Sequence, residues 1–310
     1  MTTLAALLLG CLLDRLCGEP RRWHPLIGLG RWIGLVEARA HGERHARVRG
    51  LLAWVLVVAG PVAVAVVLQG VLNGTLLYVL VAALVVYLSI GWHSLIEHAG
   101  QVAEPLRHGE LDQARGALAM IVSRDTAELD ETGIATAATE SVLENGSDAI
   151  YAALFWFALL GLPGVVLYRC ANTLDAMWGY KNPRYRQFGW AAARIDDLLN
   201  WIPARLTVFA YACASGSASA ARLALDCAWR QGRCWKSPNA GPVMAAGAGA
   251  LGLLLGGPSR YHGVLQERGD LGQGRIAKAA DILRACRLID RALIFWLVLL
   301  SAVLLFARAY

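Results

Sequence analysis

Two uncharged apolar runs, Leu51 to Leu68 and Val71 to Gly91, follow one another with only Gln69 and Gly70 between them. Each matches the ~20 residues that a helix needs to cross a hydrocarbon core. Ala149 to Tyr168 is a third such run, and Ala292 to Ala307, fenced by Arg291 and Arg308, is a slightly shorter fourth. With 57% hydrophobic residues, eleven tryptophans and a mean hydropathy of +0.47, the chain reads as an integral membrane protein. Leu4 to Leu13 has no basic residue before it and Asp14-Arg15 where a leader's cleavage site needs small residues, so it reads as a retained helix.

Charge orients these runs. Seven of the 29 basic residues, Arg21, Arg22, Arg31, Arg39, Arg44, Arg47 and Arg49, lie between the first two apolar segments. Basic loops stay cytoplasmic, so this loop is expected inside and the N-terminus outside. The same clustering accounts for the net charge of +6 without a nucleic-acid partner. Seven scattered cysteines with no CxxC suit reduced thiols, not a disulfide frame or a zinc site.

The expected architecture is all-α: one polytopic membrane-embedded domain over residues 1–310, with 92–148 as a cytoplasmic acidic helical insert. That insert holds eleven of the 23 acids and three arginines. Within the third run, Gly161-Leu162-Pro163-Gly164 breaks the helix. Two re-entrant half-helices joined there would return the basic stretch from Lys181 to Arg205 to the cytoplasm; a kinked full span is the alternative.

Four clusters carry chemistry. In SRDTAELDETGIATAATESVLENGSDAI, a helix is predicted from Thr126 to Glu144, stopped at Asn145-Gly146, with Ser147 capping the next. Glu140 and Glu144 then stack at i,i+4, and Glu144 opposes the helix dipole, two penalties that a bound divalent cation relieves. A solvated acidic face is the other reading. In NTLDAMWGYKNPRY, Asn172 and Asp175 have capping-box spacing, while Lys181, Arg184 and Arg186 alternate with aromatics, as suits a phosphate and a flat ring or a membrane-interface belt. FGWAAARIDDLLNWIPAR predicts a helix ended by Pro203, with Arg194, Asp197 and Asn200 on one face, an ion pair or part of a site. The glycines of Ser237 to Gly263 suit either a close ligand or close helix packing. No P-loop pattern and no HExxH are present.

These motifs, with GEPRRWHPL, SLIEHA, SPNAGP and RYHG, resemble the adenosylcobinamide-phosphate synthase family, membrane enzymes of cobalamin biosynthesis, in order from about residue 10 to 290. The resemblance implies an ATP- and Mg²⁺-dependent amide synthase of the inner membrane, its site facing the cytoplasm. Such an enzyme joins a carboxylate of adenosylcobyric acid to aminopropanol or its phosphate. On that reading Asp125, Glu140, Glu144, Asp196 and Asp197 hold Mg²⁺, and Arg124, Lys181 and Arg194 clamp phosphates. Asn145, Asn172, Asn200 and Asn239 position substrate, and Asp148 or Asp175 is the base. The bilayer, a second copy of the chain and other cobalamin-biosynthesis enzymes are the expected partners. The rivals are a non-catalytic membrane scaffold or signalling protein, akin to a family linked to β-lactamase induction, and a transporter.

Overall fold

The computed structural model describes residues 2–20, 24–180, 182–261 and 263–309, and Arg21, Arg22, Lys181 and His262 lie outside them. In chain order its helices are α1 (Thr2–Cys17), α2 (Pro25–Ala40), α3 (Ala46–Leu72), α4 (Leu76–Ser89), α5 (Trp92–Arg107), α6 (Leu111–Ala119) and α7 (Glu131–Asn145). A π-helical turn (Gly146–Tyr151) leads into α8 (Ala152–Leu160), then α9 (Leu162–Trp178), α10 (Tyr185–Phe188), α11 (Trp190–Ala214), α12 (Ala218–Arg230), α13 (Ala240–Leu251) and α14 (Ala279–Ala309). Short strands β1 (Leu253–Gly256), β2 (Ser259–Tyr261), β3 (Val264–Gln266), β4 (Asp270–Gly272) and β5 (Arg275–Ile276) lie between α13 and α14. The chain is thus mostly helical, and the all-α expectation is corrected by these strands. Positive-φ glycines at 252, 256, 257 and 272 turn the Leu253–Leu255 run back on itself, so β1 pairs with β4 and β5 instead of extending α13.

The contacts divide the chain into two compact units. In the first (residues 1–91, 152–200 and 301–310), α3 packs on α9 over a core that includes Ile33, Val57, Leu174, Trp178 and Phe188. The predicted break is present: α8 ends and α9 begins at Gly161, whose φ of 70° suits glycine. Gln69 of α3 straddles it, its amide Nε2 donating to the Leu160 carbonyl (3.3 Å) while Oε1 accepts from Leu162 N (2.9 Å). One side chain therefore satisfies orphan groups of two helix ends. At the other end of α3, Arg47 Nε donates to Gln187 Oε1 (2.7 Å). Twenty-two residues of helix separate Gln69 from Arg47, about 33 Å at 1.5 Å per residue. From the break beside Gln69 the chain therefore returns along α3 as α9, toward the Arg47 end.

In the second unit (residues 92–151 and 201–300), α7, α13 and the strands pack together, and Tyr151 stacks on Trp296 at 6.1 Å between ring centroids. Three predicted helix ends are corrected. Helix α7 starts at Asp130, whose Oδ1 accepts from Gly133 N (2.7 Å), not at Thr126. Gly146 does not stop it. Its backbone is right-handed helical, and its missing Cβ makes room for Ile289 Cδ1 and Tyr211 Oη, each 2.7 Å from where that atom would sit. Ser147 shares a hydrogen bond with Thr207 instead of capping a new helix. Pro203 lies inside α11. Two stretches are long and apolar enough to cross a membrane among the described residues, α3 and Leu76–Arg107 counted through the break at Ile90–Gly91, with 22% and 28% of their apolar windows buried. A core helix of a soluble protein would be mostly covered.

Candidate functional site

In the first unit, α9 and α11 bring together the second and third sequence clusters. Asn172 and Asp175 lie in the second half of α9, whose N-cap is Gly161, which corrects the capping-box reading. Asn172 Nδ2 donates to Asp196 Oδ1 (3.4 Å) and Asn200 Nδ2 to Asp196 Oδ2 (3.0 Å). Tyr168 Oη donates to Asn200 Oδ1 (2.9 Å), and Arg169 Nη1 to Asn172 Oδ1 (3.3 Å). Asp196 is 8% exposed and makes no ion pair among the described residues. Burial pushes its carboxyl up to about 6; the two amides and the nearby charge of Arg169 oppose that rise, and Asp197 adds to it. Asp197 itself lies 3.6 Å from Arg194, a pair open to solvent and worth ~0–1 kcal/mol.

The aromatic and cationic residues that follow are used internally. Glu37 of α2 accepts from Arg184 Nη2 (2.8 Å) and Tyr185 Oη (2.9 Å) on one oxygen and Trp178 Nε1 (3.0 Å) on the other. Burial raises the Glu37 carboxyl, but those donors outweigh it and hold it below its usual value. Sequence reasoning missed Glu37, whose sole signal is an acid among many arginines.

In the second unit, Glu140 is buried in α7 between two guanidiniums. Its Oε1 accepts from Arg268 Nη2 (3.0 Å) and Gly256 N (2.8 Å), and its Oε2 from Arg268 Nη1 (3.1 Å) and Arg124 Nη2. Burial works against the charge of Arg124, and the Glu140 carboxylate more than restores it. Next to Arg124, Asp125 Oδ2 accepts from Gly263 N (2.7 Å) and Asp125 N donates to the Arg260 carbonyl (2.9 Å). The SRD motif thereby holds the β2–β3 hairpin, which sequence reasoning missed together with Arg268. Glu144 and Asp148 are half-buried further along; Asn145 Nδ2 donates to the Ser141 carbonyl (2.9 Å), and Asn239 Oδ1 accepts from Arg205 (2.6 Å).

Of the five acids expected at magnesium, Asp125, Glu140 and Glu144 thus belong to the second unit and Asp196 and Asp197 to the first. No group of three His, Cys, Asp or Glu side chains able to hold a metal occurs among the described residues. Mg²⁺ needs one or two carboxylates beside phosphate and water. Glu140, with four donors on its two oxygens, does not fit that role. Asp196 accepts one amide N–H on each oxygen and so keeps acceptor capacity that Glu140 lacks.

The comparisons define the class. The CobD/Cbib protein family model matches residues 7–289, and the chain belongs to that family. It is 52% identical over 293 residues to the cobalamin biosynthesis protein CobD of Chromobacterium violaceum, covering 92% of this chain and 91% of that one. The same-named proteins of Stutzerimonas stutzeri (52% over 292 residues, 93% and 94% covered) and Mycobacterium tuberculosis (42% over 286 residues, 92% and 90% covered) are also similar. No solved structure matches.

Proposed function

We propose that this protein is an ATP-dependent amide synthase of cobalamin biosynthesis, joining a carboxylate of adenosylcobyric acid to aminopropanol or its phosphate. The observation that carries the reading is Asp196, a buried carboxylate bonded by two amides, with Arg169 one residue removed through Asn172 and no ion pair of its own among the described residues. Such a group costs stability and is characteristic of a site. Glu140, equally buried, is fully paired and has a structural explanation.

In the proposed reaction the corrinoid carboxylate attacks the γ-phosphorus of ATP, releasing ADP and forming an acyl phosphate. The amine then attacks the acyl carbon and phosphate leaves. Asp196 and Asp197 would hold Mg²⁺, which would neutralise the triphosphate when bound, while Asn172 and Asn200 orient the Asp196 carboxylate. Arg194, exposed beside them, is assigned to phosphate, as is Lys181. The ammonium of the incoming amine must lose a proton, and Asp175 on the same helix as Asn172 is the assigned acceptor, with Asp148 of the second unit the alternative. Glu140 is assigned to organising Arg124 and Arg268, while Asp125 anchors the hairpin. Glu144, Asn145 and Asn239 are assigned to substrate.

The membrane setting belongs to the same proposal. The outward-facing leucines and valines of α3 suit lipid, and its arginine end suits the cytoplasmic side. Gln187 bonds Arg47 at that end, which supports a cytoplasmic side for the Asp196 network. The test is purified protein given adenosylcobyric acid, aminopropanol phosphate and MgATP, with amide and ADP measured. A scaffold predicts neither product.

A further inference from the structure

A hollow of about 550 Å³ opens between α2 and α3, within the range of roughly 300–1,000 Å³ typical of ligand pockets. Its walls are apolar: Trp32 and Leu35 from α2, Leu52 and Leu56 from α3, each between 43% and 63% exposed. Its polar lining comes from two arginines, Arg39 and Arg49.

Neither arginine forms an ion pair among the described residues. Arg39 donates to the Leu35 carbonyl of its own helix (3.3 Å), and the Arg49 guanidinium lies against Gly42. The acid of α2, Glu37, is committed to Arg184, Tyr185 and Trp178. Two positive charges are therefore left at one end of a greasy slot. Arg49 sits in the first turn of α3, immediately before its uncharged run begins at Gly50. If α3 crosses the bilayer, the charges stand at headgroup height and the leucines at acyl-chain height, with Trp32 on the boundary.

We propose that this hollow is a binding site for one anionic phospholipid, its phosphate on Arg39 and Arg49 and an acyl chain along Leu35, Leu52 and Leu56. The assignment rests on the membrane reading of α3 and not on the amide chemistry. Charge complementarity selects the anionic headgroup, and the apolar walls select a lipid over a soluble phosphate.

The experiment uses the full chain, purified in detergent, delipidated and titrated with phosphatidylglycerol or phosphatidylcholine under native mass spectrometry. A saturable one-to-one phosphatidylglycerol adduct is expected, with phosphatidylcholine binding weaker. The double variant Arg39→Ala/Arg49→Ala should lose roughly tenfold or more in phosphatidylglycerol affinity. Arg31→Ala/Arg44→Ala removes the same charge from the same segment outside the hollow and should bind as the parent does. Helical circular dichroism and thermal unfolding verify that both variants fold. Equal binding of the two lipids, or equal losses in the two double variants, would overturn the site, and so would a second protein copy occupying the groove in place of lipid. Amide synthase activity is a separate readout, so loss of lipid binding with activity retained leaves the enzymatic reading intact.

Discussion

The indole N–H of Trp156 donates to the carbonyl oxygen of Leu199 at 3.0 Å. Leu199 is four residues before Pro203, so this carbonyl is the one that proline, having no N–H, leaves without its helical donor. A tryptophan from α8 thus replaces the missing helix bond, which is why Pro203 sits inside α11 and does not end it. Trp156→Phe keeps most of the apolar bulk and removes the donor. It should cost about 1–3 kcal/mol, read as a lower melting temperature in detergent. In a Pro203→Ala background, where the backbone supplies the donor, the same change should cost less. Equal losses in both backgrounds would contradict the pairing.

Gln69 performs the corresponding service at the Gly161 break. Gln69→Leu strands the Leu160 carbonyl and the Leu162 N–H together and should destabilise by about 1–3 kcal/mol in thermal unfolding. Gln69→Glu, which keeps an acceptor for Leu162 but loses the donor to Leu160, should not restore parental stability.

Glu140→Gln distinguishes a structural acid from a metal ligand. Between Arg124 and Arg268, loss of its charge leaves two buried guanidiniums underneutralised, and removal of one member of such a set typically costs about 3–5 kcal/mol. The metal-free variant should therefore unfold at a lower temperature. A site built for magnesium gives the opposite sign, because neutralising an unpaired acid stabilises the metal-free protein.

Asp196→Asn should show that opposite sign. The unfolded carboxyl titrates near 3.8 and the folded one near 6, so between these values the folded state holds more protons and stability falls as pH rises. Above the window the loss is complete. The substitution should raise metal-free stability at neutral pH by about 1–2 kcal/mol, after allowing for one weakened amide hydrogen bond, and should flatten the slope between the two values. It should also abolish amide synthesis. Denaturant melts from pH 4 to 8, paired with activity, check both.

What was legible in the sequence was local. The apolar runs mark helices because length and composition decide bilayer-scale segments, and Gly161 to Gly164 marks a break because glycine and proline act on their own backbone. The pairing of Asn172 with the IDDLLN helix was not legible as a contact, although each segment stood out for its polar residues amid apolar ones. The pairing of Glu140 with Arg268 is not legible because the two are 128 residues apart and Arg268 lies in a stretch with no periodicity. At Gly146 and Pro203 tertiary neighbours override the local rules: Ile289 and Tyr211 require a glycine at one, and Trp156 repairs the other. The strands were missed because two- to four-residue strands carry too little alternation to be distinguished from a small-residue helix end.

The most direct test of the central claim is a single incubation of the purified protein with adenosylcobyric acid, aminopropanol phosphate and MgATP, followed by mass analysis of the corrinoid and assay of ADP. The predicted result is a corrinoid heavier by the amine less one water, formed in step with ADP and lost in Asp196→Asn. Unchanged corrinoid from folded protein supplied with both amine forms, with no ADP released, would contradict the account.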